Sequence, residues 1–224
     1  MKLKLVFFVV ALLGITSCTS GSLSQKGTGN YPNSIYTASG SQDIQSAVFG
    51  APNSKVQLKL FSDYQCPACI VFHDQVEEKL WKDYIDTGKV TATFYNFPLT
   101  FTGRDGKPVH PNAEGDALGA LCALSGGKYR EYRNALYTLE DQKQGAAVTD
   151  DERVAKAKEI GLDVTEFTSC LTGARYQKAL EREIDEGNQL GLEGTPSVYL
   201  NNKIMNFRGP DEFFKILDAA TQAK

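Results

Sequence analysis

The feature that most constrains this chain is Cys66-Pro67-Ala68-Cys69. It lies where a strand-like run, residues 56–61, gives way to a helix-like run reaching about Asp86. Two cysteines at this spacing, at such a junction, read as a redox dithiol. Pro67 suits the first helical turn, whose amide hydrogen has no intrahelical partner in any case. Cys66 then falls at a helix N-terminus, where free N–H groups and the macrodipole favour a thiolate. The thiolate is the attacking species in disulfide exchange, so the placement is chemical as well as geometric.

The N-terminus sets the compartment. Met1-Lys2-Leu3-Lys4 is short and basic, and residues 5–15 are apolar apart from Gly14. These are the n- and h-regions of a secretory signal, too short to span a bilayer as a stable helix. Ile15-Thr16-Ser17-Cys18 resembles a bacterial lipobox. That resemblance implies a signal peptide over residues 1–17 and a lipid on Cys18, which becomes the mature N-terminus. The alternative is an ordinary signal cut nearby, for example after Ser20. In both cases the five cysteines become four. With Cys66 and Cys69 taken as one pair, Cys122 and Cys170 remain, either as a structural disulfide or as two buried thiols. An exported compartment lets disulfides persist.

Loss of Lys2 and Lys4 leaves 22 basic against 27 acidic residues, a net charge of −5. No basic stripe argues for nucleic acid, and no second apolar segment argues for a transmembrane anchor. Residues 18–45, rich in Ser, Gly, Thr and Asn, read as a tether, with residues 43–49 as one short helix before the domain proper. A compact domain follows over residues 46–222. Residues 90–97 are β-branched and aromatic and read as a strand stopped by Pro98. Residues 113–124, 129–139, 151–160, 164–171 and 175–190 read as helices. Residues 197–200 and 203–207 flank Asn201-Asn202, a hairpin signal, and residues 211–220 form a closing amphipathic helix.

This order of elements resembles the DsbA family of thioredoxin-fold oxidoreductases. The residues that carry the likeness are spread over about residues 50–220: Phe61 to Cys69, Asn96-Phe97-Pro98-Leu99, His110-Pro111-Asn112-Ala113, Ala120-Leu121-Cys122-Ala123, Lys128 to Tyr132, and Leu190 to Ser197. The resemblance implies an α/β thioredoxin fold with a helical domain, about residues 110–189, inserted between its βαβ and ββα halves. It implies Cys66 as nucleophile, Cys69 as resolving cysteine, and a cis Thr195-Pro196 bond beside them whose backbone pairs with an extended substrate. It also assigns Pro67 and Ala68 as the active-site dipeptide. No cofactor or metal is implied; the partners are cysteine-containing exported proteins and a membrane redox protein.

Two positions depart from the family pattern. Many members have a buried glutamate where this chain has Leu60, so the proton of Cys69 must leave through water or another acid such as Asp63. Strongly oxidising members have histidine where this chain has Ala68. The couple is therefore expected between the DsbA and thioredoxin extremes of potential. An oxidase acting in the bacterial envelope is the first reading, and a reductase or isomerase using the same cysteines is the second. A metal-binding lipoprotein using Cys66, Cys69 and His73 is the third, and it lacks an obvious fourth ligand. His73 reads as solvent-facing or groove-lining, Glu77-Glu78 as a solvated face, and Asp150-Asp151-Glu152 as a helix-start cluster. Trp81 and Tyr84 read as core; Phe97, Leu99 and Phe101 suit an apolar rim or the core equally.

Overall fold

The computed structural model describes residues 46–100 and 108–223. The signal peptide, Cys18, the tether and Phe101 lie outside the described residues.

A five-stranded sheet forms the frame: β1 (Ala47–Gly50), β2 (Gln57–Ser62), β3 (Thr91–Asn96), β4 (Ser197–Leu200) and β5 (Lys203–Ile204), in the order β1-β3-β2-β4-β5. β2 and β3 are parallel, and every other pairing is antiparallel. A parallel pair needs a long crossover, and here the crossover is the helix that begins at the dithiol. Residues 47–49, expected as helix, are strand. Ala47, Val48 and Phe49 lie opposite Phe94, Thr93 and Ala92, and Phe49 packs edge-on to Trp81 at 4.8 Å. The second strand of the final hairpin is shorter than expected, ending at Ile204. Its turn residues Asn201 and Asn202 take φ of 47° and 64°, the left-handed pair that a tight hairpin requires.

The crossover runs as α1 (Pro67–Phe72), a π-helical turn (His73–Glu77), α2 (Glu78–Leu80) and a second π-helical turn (Trp81–Ile85). Cys69, Phe72, Val76, Leu80 and Tyr84 recur every three or four residues and are buried, the stripe of a helix lying on a sheet. Trp81 stacks on Phe94 at 5.0 Å.

Between β3 and β4 come α3 (Ala113–Ser125), α4 (Tyr129–Lys143), α5 (Asp150–Glu159), α6 (Val164–Thr172) and α7 (Gln177–Gln189). Thr149 and Glu152 form a reciprocal capping box at the start of α5. A disulfide between Cys122 and Cys170 ties α3 to α6 across a sequence separation of 48, worth on the order of 4 kcal/mol in the chain-entropy model. The last helix, α8 (Pro210–Gln222), sets Phe213 edge-on to Phe72 at 5.6 Å. The thioredoxin fold with its helical insertion is thus present, with β1 as an added edge strand. No helix among the described residues is long and apolar enough to cross a membrane.

α7 is held to the end of β3 by a buried carboxyl. Glu183 Oε2 accepts from the backbone N–H and the side-chain amide of Asn96, at 2.8 and 2.7 Å, while Oε1 has no partner. Burial pushes Glu183 up to about 7, and the two Asn96 donors only partly offset it. A carboxyl raised in the folded state contributes stability below its unfolded value of about 4.3, and that stability is lost as pH rises toward 7. Glu183→Gln keeps the acceptor and stays neutral. Its unfolding free energy from urea titration should match wild type near pH 4.5 and exceed it at pH 8, by on the order of 1–3 kcal/mol. Equal pH dependence in the two proteins would contradict this account.

Candidate active site

β2 ends at Ser62, and Asp63, Tyr64 and Gln65 carry the chain off the sheet. Cys66 is extended, with φ −72° and ψ 121°, and caps α1; Pro67 opens the helix. The backbone N–H groups of Cys69 and Ile70 donate to the Cys66 carbonyl at 2.9 and 3.1 Å. The Thr195–Pro196 bond is cis. The Thr195 carbonyl lies 3.4 Å from Cys66 Sγ, across 129 residues of sequence. Cys66, Cys69, Pro67, Ala68, Thr195 and Pro196 therefore meet in one place. Cys122 and Cys170 lie apart from it, in the insertion.

The two sulfurs, free thiols in this structure, are driven in opposite directions. Cys66 is brought down to about 5. The largest cause is a hydrogen bond from the Cys69 thiol; partial burial opposes it, and the Thr195 side chain and the N–H groups of Cys69 and Ala68 add to it. Cys69 is pushed well above its ordinary value by burial, and further by its partner's charge. One sulfur is a thiolate at neutral pH and the other keeps its proton. That asymmetry is what stepwise thiol–disulfide exchange requires.

Leu60 is buried and supplies no acid. Asp63, the alternative raised by the sequence, sends its backbone N–H to Cys69 Sγ at 3.5 Å. Its carboxylate is otherwise engaged: Oδ1 accepts from the Gln65 N–H, and Oδ2 meets the Leu99 N–H and His110 Nδ1.

Two readings of the first helix need correction. Glu77 is 1% exposed rather than solvated, and His73 points inward. The cause is Arg133 of α4, itself fully buried. Its Nε and Nη2 grip the two Glu77 oxygens at 2.8 and 2.5 Å, and it also donates to Ser62, Tyr64 and Tyr137. Glu77 Oε2 takes His73 Nδ1 at 3.0 Å, and the His73 ring stacks on Tyr137 at 4.5 Å. His73 is thus committed to a carboxylate. No group of acidic, His or Cys side chains among the described residues forms a metal site. A signal for Arg133 was present: it shares a helical stripe with Tyr129, Leu136 and Tyr137, where an arginine needs a buried partner. Phe97 packs on Phe61 in a small cluster with Tyr199, so it belongs to the core rather than to a rim.

A thioredoxin family model matches residues 42–219. A probable disulfide bond formation protein D of Bacillus anthracis is 26% identical over 215 residues, covering 92% of this chain and 89% of the relative. Disulfide bond formation protein D of Bacillus subtilis is 25% identical over 184 residues, 79% of this chain and 78% of the relative. Among solved structures, oxidised BdbD from Bacillus subtilis superposes with a TM-score of 0.67 at 22% identity, covering 80% of this chain and 94% of that one. DsbA of Chlamydia trachomatis gives 0.63 at 19% identity, over 79% and 93%.

Proposed function

The chain belongs to the thioredoxin family and is a thiol–disulfide oxidoreductase, and from that premise we propose that it works as an exported oxidase. On this reading it is anchored through a lipid on Cys18 in the bacterial envelope and introduces disulfides into secreted or envelope proteins. The observation that carries the reading is the place of Cys66 at the N-cap of α1, against the Thr195-Pro196 segment and with Cys69 buried behind it, which favours a thiolate at Cys66. A value of about 5 lies between the roughly 3.5 of strong oxidants and the roughly 7 of thioredoxin. A stabilised thiolate stabilises the reduced form, which makes the disulfide an oxidant.

In the proposed cycle the resting form holds the Cys66–Cys69 disulfide. A substrate thiolate attacks Cys66 Sγ, the enzyme S–S bond breaks, and Cys69 leaves and takes up a proton. A second substrate thiolate then attacks the mixed disulfide and expels Cys66 as the thiolate. Two electrons pass from the substrate dithiol to the enzyme, and a membrane redox partner removes them. The Thr195 carbonyl, on the backbone segment leading into β4, offers an extended substrate an edge to align on. The export and anchoring rest on the signal-like N-terminus and the lipobox-like Ile15-Thr16-Ser17-Cys18.

The test is the equilibrium potential of the Cys66–Cys69 pair in the full chain, read by alkylation and peptide mass after equilibration in glutathione buffers. The expected result lies between the roughly −120 mV of DsbA and the roughly −270 mV of thioredoxin, nearer the former. A value at or below the thioredoxin end would replace the oxidase with a reductase or isomerase.

A further inference from the structure

We propose that His110 is the cation that stabilises the Cys66 thiolate, bringing to the dithiol from the start of the helical insertion a charge that the Pro67-Ala68 dipeptide does not carry. The proposal rests on the oxidoreductase reading of the Cys66–Cys69 pair and adds a residue to it.

Ala68 helps the Cys66 sulfur only through its backbone N–H. His110, 44 positions after Cys66 in the sequence, lines a cavity together with Gln65, Pro67 and Ile70, the residues that flank Cys66 and Cys69 in the chain. Its ring is fixed: Nδ1 lies 2.7 Å from Asp63 Oδ2. That carboxylate is fully buried and already accepts from two backbone N–H groups. Nδ1 therefore carries the hydrogen, and an imidazole anchored this way gains a second proton at Nε2. The side chain is 11% exposed, so water screens its charge weakly.

Among the described residues, the acidic groups around His110 favour the cation when ionised. Asp63, bonded to the ring, comes from the loop before the dithiol, and Glu140 and Asp141 line the cavity from the end of α4. Burial, together with the neighbouring Asp116, pushes Glu140 toward its neutral form. Gln65 and Gln144 are neutral. Among the described residues lining the cavity, His110 is the one side chain that can hold positive charge. The Asp63 hydrogen bond raises its proton affinity against the effect of burial, and the Cys66 thiolate raises it further.

The coupling is reciprocal. Reduction adds two electrons to the S–S bond, leaving a negative charge on Cys66 Sγ and a proton on Cys69. A protonated His110 stabilises that product and makes the disulfide more oxidising. By linkage the thiolate strengthens proton binding at His110 by the same factor. Asp63 is a positioning residue, acting through the imidazole.

His110→Asn separates charge from geometry, because its amide nitrogen can still donate to Asp63. At pH 6.5 the variant should show an equilibrium constant for reduction by glutathione about tenfold lower than wild type, equivalent to about 30 mV. At a pH above the His110 midpoint that NMR titration gives for the reduced wild type, the two should agree within about twofold. Equal constants at pH 6.5, or the same gap at both pH values, would overturn the proposal. Wild type gives a second reading that needs no variant. The His110 ring protons, followed by NMR, should titrate at higher pH in the reduced than in the oxidised protein, and an identical midpoint would also overturn it. The absolute wild-type potential tests the oxidase reading; the gap between the two proteins tests His110.

Discussion

A Cys69→Ala variant should stop turning over and accumulate as a covalent adduct on Cys66, while Cys66→Ala should be inert toward the same reagents. The contrast follows from the two sulfurs. At pH 7 a thiol titrating at about 5 is almost wholly thiolate, against roughly 3% for an ordinary cysteine. Cys69 is 1% exposed and held well above the usual range by burial, so little of it is ionised and little is reachable. In Cys69→Ala, the Cys66 thiolate attacks a disulfide, forms one S–S bond and releases the other sulfur as a thiolate. No neighbouring thiol remains to expel the adduct. Native-state alkylation at pH 7 should be faster for Cys69→Ala than for Cys66→Ala by on the order of a hundredfold or more. The first variant also loses the hydrogen bond that does most to lower Cys66. Its thiolate should therefore titrate above about 5, yet below an ordinary thiol, because the Thr195 and backbone contributions persist. Comparable labelling of the two variants would mean that the nucleophile has been assigned to the wrong residue.

What the sequence revealed and what it hid divide along the range of the interactions. The Cys66–Cys69 motif, the helix that follows it and the Asn201-Asn202 turn are local, set by residues within one turn of each other. The parallel β2–β3 frame and the helical insertion were legible because a family order of motifs spans the chain. β1 was not legible. Four residues carry no usable periodicity, and only their pairing with β3, more than forty positions away, makes them strand. Glu77 and His73 were misread for a related reason. Their spacing from Cys69 is helical, but the partner that draws them inside is Arg133, 56 residues beyond Glu77. The π-helical turn that carries them has no sequence signature to correct the helical phase. His110 was noted only as part of the insertion's start. Its pairing with Asp63, 47 residues earlier, appears only once β2 and the insertion are assembled.

Arg133→Ala should cost about 3–5 kcal/mol of stability, the penalty for leaving one member of a buried ion pair without the other. Arg133 and Glu77 are each 1% exposed, and the pair joins the insertion to the helical crossover that begins at the dithiol. Arg133 also bonds Ser62 at the end of β2 and Tyr64 in the loop before Cys66. Its loss therefore frees both halves of the molecule at once. Burial alone would raise Glu77, but the charge and hydrogen bonds of Arg133, with His73 assisting, hold it at about 2. A carboxylate depressed in the folded state contributes stability above its unfolded value of about 4.3, and loses it as pH falls toward 2. In Arg133→Ala the same carboxyl has only burial and His73 left, so protonation relieves it. The gap between wild type and variant should be widest near neutral pH and should narrow below about pH 4.5. A Glu77→Leu, Arg133→Met double variant leaves no unpaired buried charge and should recover part of the loss, the remainder reflecting the partners that His73, Ser62, Tyr64 and Tyr137 lose. Urea unfolding at pH 7 and pH 3.5 measures all of this. A single-variant loss under about 1 kcal/mol, or a double variant no better than the single, would show that the pair does not hold the insertion in place.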